Sequence, residues 1–177
     1  HRTHIHTMLS HANIDLTQIH FFVVASDDTW VRDHGPLTVL DTAQTPTLLD
    51  FIFNGWGNKF SAEQDNAITQ HLHTQHAFAP CKRIDIDRVL EGGSIEVDGC
   101  GTLLTTTRCL LAPTRNPSLT RAALEQLLGE WLGVHHFLWL ENGYLAGDDT
   151  DSHIDTLARL TDPQTICYVR CDDPQDE

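Results

Sequence analysis

The chain has 177 residues, 40% of them hydrophobic and 20% charged, a balance that suits one folded core and excludes a disordered chain. A formal net charge of −14, with only 11 Lys and Arg scattered along the chain, argues against nucleic acid and permits a cationic partner. No run approaches the roughly 18 apolar residues of a membrane span, and the N-terminus lacks the basic and apolar regions of a secretory signal, so a cytoplasmic protein with no membrane partner is expected.

The five cysteines, Cys81, Cys100, Cys109, Cys167 and Cys171, are odd in number and scattered, which speaks against a disulfide framework. The first ten residues, carrying His1, His4 and His6 with His11 just beyond, have no structural pattern, and their His-X-His spacing lacks the carboxylate or cysteine neighbours of a metal site. Gln18 to Ala25 is a short apolar run bounded by Ser26-Asp27-Asp28 and reads as a buried strand. The next stretch then lies at a strand's carboxyl end, where α/β proteins set ligand sites. That stretch, Asp28 to Pro36, combines two acids, Trp30, Arg32 and a Gly-Pro break. A purely structural reading would pair Arg32 with a neighbouring acid and bury Trp30.

Leu37–Leu40 and Leu48–Phe53 read as a hairpin, followed by the glycine–aromatic loop Asn54-Gly55-Trp56-Gly57-Asn58-Lys59, which suits the wall of a pocket. Ser61 is the expected N-cap of a helix running through Ile68 and Leu72 to about His76, with His71, His73 and His76 on its solvated face. Arg83–Val89 alternates charged and apolar residues, a half-exposed strand that delivers Glu91. Next comes a central hairpin, Ser94–Asp98 and Thr102–Thr106, joined by Gly99-Cys100-Gly101. Glu91 stands at its mouth before Gly92 and Gly93, and two glycines are a poor start for a strand unless something approaches the backbone closely.

Arg115-Asn116-Pro117-Ser118 breaks the chain, and Ser118 or Thr120 caps a second helix. Its Leu119, Ala123, Leu124, Leu127, Leu128, Trp131 and Leu132 recur at core spacing, and Gly133 ends it. Val134–Leu140 is a further strand. Asp151-Ser152-His153-Ile154-Asp155 leads into a third hairpin, Thr156–Leu160 and Thr165–Val169, and the closing Asp172–Glu177 is acidic with no recognisable element.

Each hairpin thus opens on an ionisable residue, and the spacings agree: Asp33 to Glu91 is 58 residues and Glu91 to His153 is 62. This marks a diverged repeat of hairpin, helix and one more strand. A pseudo-symmetric repeat points Asp33, Glu91, His153 and Asp155 at one axis. Three carboxylates around one His call for positive charge. On a strand, the His153-X-Asp155 spacing would set both side chains on one face as metal ligands, so on chemistry alone a guanidinium or amine and a magnesium- or manganese-like metal stand level.

The runs Trp30–Pro36, Phe53–Lys59, Leu90–Ile95, Asp98–Thr102 with Thr105-Thr106, Arg115–Pro117 and His153–Asp155 resemble those of the agmatine deiminases and bacterial-type peptidylarginine deiminases, of the guanidino-group-modifying superfamily. The resemblance implies an α/β fold, the pentein-type five-bladed α/β propeller. Residues 1–177 would be a partial single domain of about three central blades, with N- and C-terminal blades missing. It implies that Asp33 and Asp155 bind a planar guanidinium, Glu91 stands beside the reacting carbon, His153 is the general acid/base and Trp30 walls the pocket.

The implied reaction is hydrolysis, of agmatine to N-carbamoylputrescine and ammonia or of peptidyl or free arginine to citrulline, through a cysteine–thiouronium intermediate without cofactor or metal. The family's cysteine lies near the C-terminus, beyond this chain. Cys167 and Cys171 read as core or incidental, and the chain alone should be inactive. Many agmatine deiminases carry Gly and Asn where this chain has Ser152 and Thr156. An amidinotransferase and a non-catalytic guanidinium-binding protein are the alternatives. The expected partner is a small cationic guanidino substrate, and a homo-oligomer is expected where it covers the uncovered seam.

Overall fold

The computed structural model describes residues 2–173 and Gln175; His1, Pro174, Asp176 and Glu177, with the expectations that touch them, lie outside. The repeat is visible in the topology. After helix α1 (Arg2–His11), the first unit runs α2 (Val31–His34), β1 (Leu37–Leu40), β2 (Pro46–Ile52), the short turn α3 (Gly55–Asn58), α4 (Glu63–Thr74) and β3 (Lys82–Val89). The second unit opens on a 3₁₀ turn (Gly92–Ser94) and continues through β4 (Ile95–Val97), β5 (Thr102–Thr106), α5 (Thr107–Leu110), α6 (Arg121–Leu132) and β6 (His136–Leu140). A third begins with α7 (Ile154–Leu157), β7 (Ala158–Asp162) and β8 (Thr165–Tyr168).

In the first two units the hairpin is antiparallel and the strand after the long helix returns parallel to the hairpin's second strand, giving the sheets β1-β2-β3 and β4-β5-β6. The third sheet holds β7 and β8 alone, and the described residues form no closed sheet. Strand β5 shows why a central strand is apolar on both faces. Leu103, fully buried, packs into the largest core cluster with Leu124 and Leu128 of α6. Leu104, on the opposite face, packs on Ile154 and Ala158 of the third unit. Each such buried Leu contributes about 1.5–3 kcal/mol.

Helix α6 follows its local signals: the Thr120 side chain caps Ala123 N, and Gly133, at φ 70°, closes it in the left-handed conformation that glycine adopts without strain. Helix α4 does not. Its N-cap is Ala62 rather than Ser61, and Asp27, far away in sequence, accepts from Gln64 N while Asp65 accepts from Asp27 N and Asp28 N. This reciprocal cap ties the loop before Trp30 to the helix. Along α4, His71 and His76 are exposed, whereas His73 is half-buried with Nε2 3.0 Å from the Cys81 carbonyl.

Two expectations near the N-terminus are corrected. Residues 2–11 are helical, with the His6 ring stacked on Phe21 and the Arg2 guanidinium over the same ring. The Gln18–Ala25 run is no buried strand: it is unpaired, and Val23 is 86% exposed, because no strand among the described residues lies beside it to satisfy its backbone. Cys167 and Cys171 are exposed and so are not core.

Candidate active site

The three units deliver their leading residues to one place. Asp33 is in α2, Glu91 immediately precedes the Gly92–Ser94 turn, and His153 immediately precedes α7, whose first turn carries Asp155. The His153/Asp155 pair therefore sits at a helix start and not on a strand, which removes the alternating-face argument for it as metal ligands.

Gly93 marks the point of convergence. A Cβ there would stand 2.6 Å from Asp33 Oδ1, 2.6 Å from His153 Nδ1 and 2.8 Å from Asp155 Oδ2, so only glycine lets the three groups close in. A Cβ on Gly92 would collide with the Arg32 carbonyl. The close approach that two glycines foreshadowed is thus made by the protein's own side chains and backbone.

Asp33 is buried and aimed by two donors, Gly93 N at 3.0 Å on Oδ1 and Trp56 Nε1 at 2.9 Å on Oδ2. Trp56 reaches it from a run of four left-handed residues, Gly55 to Asn58, with Trp56 itself at φ 57°. A bulky residue pays about 1–2 kcal/mol for that conformation. The segment before His153 is strained alike, with Asp151 at φ 65° and Ser152 at φ 67°. Local strain held by surrounding structure is characteristic of functional sites.

Beneath His153 lies Glu91, fully buried. Arg115, also fully buried, donates through Nε to both Glu91 oxygens at 2.8 and 3.0 Å, through Nη1 to Asp151 at 2.7 Å and through Nη2 to the Thr150 carbonyl at 2.9 Å. Lys59 pairs with the other Asp151 oxygen at 2.7 Å. Burial works against the Glu91 anion, but the nearby His153 and the Arg115 guanidinium outweigh it and hold its carboxyl below the usual range. Asp155 goes the other way: burial pushes its carboxyl up against the pull of His153, and the neighbouring Asp33 charge adds to the rise.

The His153 ring is 2% exposed and lies between carboxylates, Nδ1 3.5 Å from Asp33 Oδ1 and Nε2 3.7 Å from Glu91 Oε2. Nε2 has no hydrogen-bond partner among the described residues; 3.7 Å from Glu91 Oε2 is too long for a formed hydrogen bond.

Thr114, Arg115 and Asn116 hold the site's parts together. The Thr114 carbonyl accepts from Asn54 and Asn58, which flank Trp56. The Asn116 side chain bonds both N–H and carbonyl of Val89, two residues before Glu91. Sequence reasoning took this segment for a chain break. Arg115–Pro117 is among the runs that carry the family resemblance, but an Arg beside Asn-Pro is too short a pattern to reveal partners 24 and 36 residues away.

Above these groups opens a cavity of about 480 Å³ whose wall includes Trp30, Asp33, Trp56, Asp149, His153 and Asp155. Trp30 is 59% exposed at its edge, so it neither fills core nor is enclosed, and Arg32 donates to the Ile95 carbonyl at 3.3 Å instead of pairing with a neighbouring acid. Glu91 does not line the cavity. Carboxylates beside indole rings suit a flat cation, which can take forked hydrogen bonds at its edge and π contact on its face.

The model of the Porphyromonas-type peptidyl-arginine deiminases matches residues 2–177. A Yersinia pestis protein named provisionally as an agmatine deiminase is 41% identical over 174 residues, 93% of this chain and 44% of its own length. The chain thus spans less than half of the curated relatives it matches. Among solved structures, a C. jejuni agmatine deiminase with substrate bound, a Cys-to-Ser variant, superimposes with a TM-score of 0.85 at 40% identity, covering 97% of this chain and 50% of that one. A Porphyromonas gingivalis structure described provisionally as an arginine deiminase gives 0.88 at 51% identity, covering 92% and 48%. No helix among the described residues is long and apolar enough to cross a membrane. With nearly its whole length matched to one family and an α/β architecture shared with that family's solved members, the chain belongs to the Porphyromonas-type peptidyl-arginine deiminase family.

Proposed function

We propose that this chain is the guanidinium-binding and proton-transfer part of a deiminase that hydrolyses a small guanidino compound, agmatine or an arginine. The observation that carries the reading is the convergence of Asp33, Asp155 and His153 on Gly93 at the wall of an acidic, indole-lined cavity. Asp33 and Asp155 hold the guanidinium edge-on, and Trp30 and Trp56 face it. A cysteine thiolate attacks the guanidinium carbon, a C–S bond forms, and His153 gives a proton to the departing ammonia as the C–N bond breaks. The same His153 then takes a proton from the water that displaces the thiolate and releases the ureido product. Glu91, held in place by Arg115, lies beside the His153 ring on the side away from the cavity.

The thiolate comes from outside this chain. None of the chain's cysteines lines the cavity. Cys109, the one nearest, is fully buried, and burial pushes its thiol well up. That the substrate-bound C. jejuni structure is a Cys-to-Ser variant is consistent with a cysteine being what consumes substrate there. The proposed whole is a pentein-type five-bladed α/β propeller, of which residues 1–177 form about three blades. The exposed apolar side chains of Val23, Tyr168 and Val169 support a surface that further blades or a second copy would cover.

The test uses a protein joining this chain to the proposed C-terminal blades, assayed for ammonia and ureido product from agmatine and from peptidyl arginine. Turnover is expected there and not from the 177-residue chain, and His153→Ala should lower kcat by about 10²–10⁴-fold. Turnover by the short chain would refute the placement of the nucleophile. Guanidinium binding without turnover by the longer protein would favour a non-catalytic binding role, the second reading that a cavity without cysteine supports. Sedimentation of the short chain checks the uncovered surface: association is expected, and a single monomeric species would refute it.

A further inference from the structure

Cys109 has no part in the chemistry above, yet it sits in that chemistry's most confined corner. Its Sγ is 3.9 Å from Glu91 Oε2, His153 Nε2 is 3.7 Å from the same oxygen, and the three ligand atoms all lie within 4.8 Å of one another. Each residue is at least 98% buried, and His153 Nε2 points into the group with no partner of its own. We propose that Glu91, Cys109 and His153 form a binding site for a thiophilic divalent cation of the zinc class.

The geometry suits the ion. Zinc–ligand bonds of about 2.0–2.3 Å at tetrahedral angles set ligand atoms about 3.3–3.6 Å apart, so the two edges at Glu91 Oε2 need to contract by a few tenths of an ångström and the Cys109 Sγ–His153 Nε2 edge, within 4.8 Å, by up to about 1.2 Å. A thiolate, an imidazole nitrogen and one carboxylate oxygen are a donor set for zinc or cobalt and a poor one for magnesium or calcium. Glu91 has capacity to spare: Arg115 reaches it through Nε alone and spends Nη1 and Nη2 on Asp151 and Thr150, which leaves lone pairs on Oε2. Charge also favours a cation, since Arg32, Lys59 and Arg115 are outnumbered by Asp33, Glu91, Asp151 and Asp155 even before the acids of the cavity mouth are added. On binding, the Cys109 S–H proton passes to solvent and sulfur ligates as thiolate.

The metal would occupy the Nε2 lone pair of His153. If His153 transfers protons as proposed, occupancy stops turnover; this consequence rests on the deiminase reading, whereas the binding itself does not. The two are tested apart. In the 177-residue chain with Cys81, Cys100, Cys167 and Cys171 changed to serine, cobalt(II) should give a thiolate-to-metal charge-transfer band that saturates at one equivalent and is displaced by zinc. Cys109→Ala in that background should remove the band and weaken zinc binding by more than the about 100-fold that loss of an outer-shell partner costs. A thermal melt confirms that the variant folds. Absence of the band, or its survival undiminished in His153→Ala, overturns the site.

In the longer, active protein, zinc should inhibit and Cys109→Ala should keep its turnover while becoming zinc-resistant. Zinc binding that leaves turnover intact would overturn the inhibitory role. A longer protein with no turnover even when metal-free would count against the deiminase reading while leaving the site standing.

Discussion

Changing Arg115 to Met should be the most destabilising conservative-volume substitution in the site, and the structure says why. The guanidinium makes four hydrogen-bond contacts from a fully buried position. Asp151 can do without it, being partly exposed and still paired to Lys59, but Glu91 is left fully buried with only the His153 ring and the weak Cys109 S–H donor nearby. Breaking a buried pair from one side costs about 3–5 kcal/mol, a large share of the roughly 5–15 kcal/mol that holds a typical domain folded.

The sign of the pH dependence should reverse with the substitution. In the native chain the Glu91 carboxyl is held below its unfolded value, so its contribution is present above the unfolded pKa and lost as pH falls through the folded one. Without Arg115 the burial penalty prevails and Glu91 takes up a proton more readily when folded, so the variant's deficit shrinks as pH falls. Urea denaturation at several pH values measures both effects. The diagnostic variant is Glu91→Gln combined with Arg115→Met, which removes the orphaned charge and should be more stable than Arg115→Met alone. Single effects that add to within about 0.5 kcal/mol would refute the coupling.

Three further outcomes are expected. Asp155, its carboxyl raised chiefly by burial, should lose its charge at a higher pH than an ordinary carboxylate, so calorimetric binding of a guanidinium ligand should weaken on acidification before the fold does, and Asp155→Asn should abolish that early loss. Trp56→Phe removes the donor to Asp33 while keeping ring contacts to Phe53 and Phe60, and should weaken guanidinium binding by about 0.5–1.5 kcal/mol; an unchanged affinity would show that Asp33 is aimed by Gly93 N alone. Gly93→Ala puts a methyl group among Asp33, His153 and Asp155 and should cost guanidinium binding out of proportion to its effect on a thermal melt.

What the sequence alone determined was the periodic and the local. The spacing of Asp33, Glu91 and His153 exposed the repeat because each unit must restart the same hairpin, and the hairpin, helix and returning strand of the first two units follow that reading within a few residues. Thr120 and Gly133 bound α6 because capping is settled within a turn of backbone. Tertiary structure decided whatever depends on a partner distant in sequence. Gln18–Ala25 has the composition of a strand but finds no neighbouring strand among the described residues. Ser61 lost the cap of α4 because Asp27 arrives from another segment. Arg115 looked like part of a turn until folding carried Glu91 and Asp151 to its guanidinium, because hydrogen bonds to a buried charge are fixed by where chains converge, and a one-dimensional pattern carries no record of that meeting.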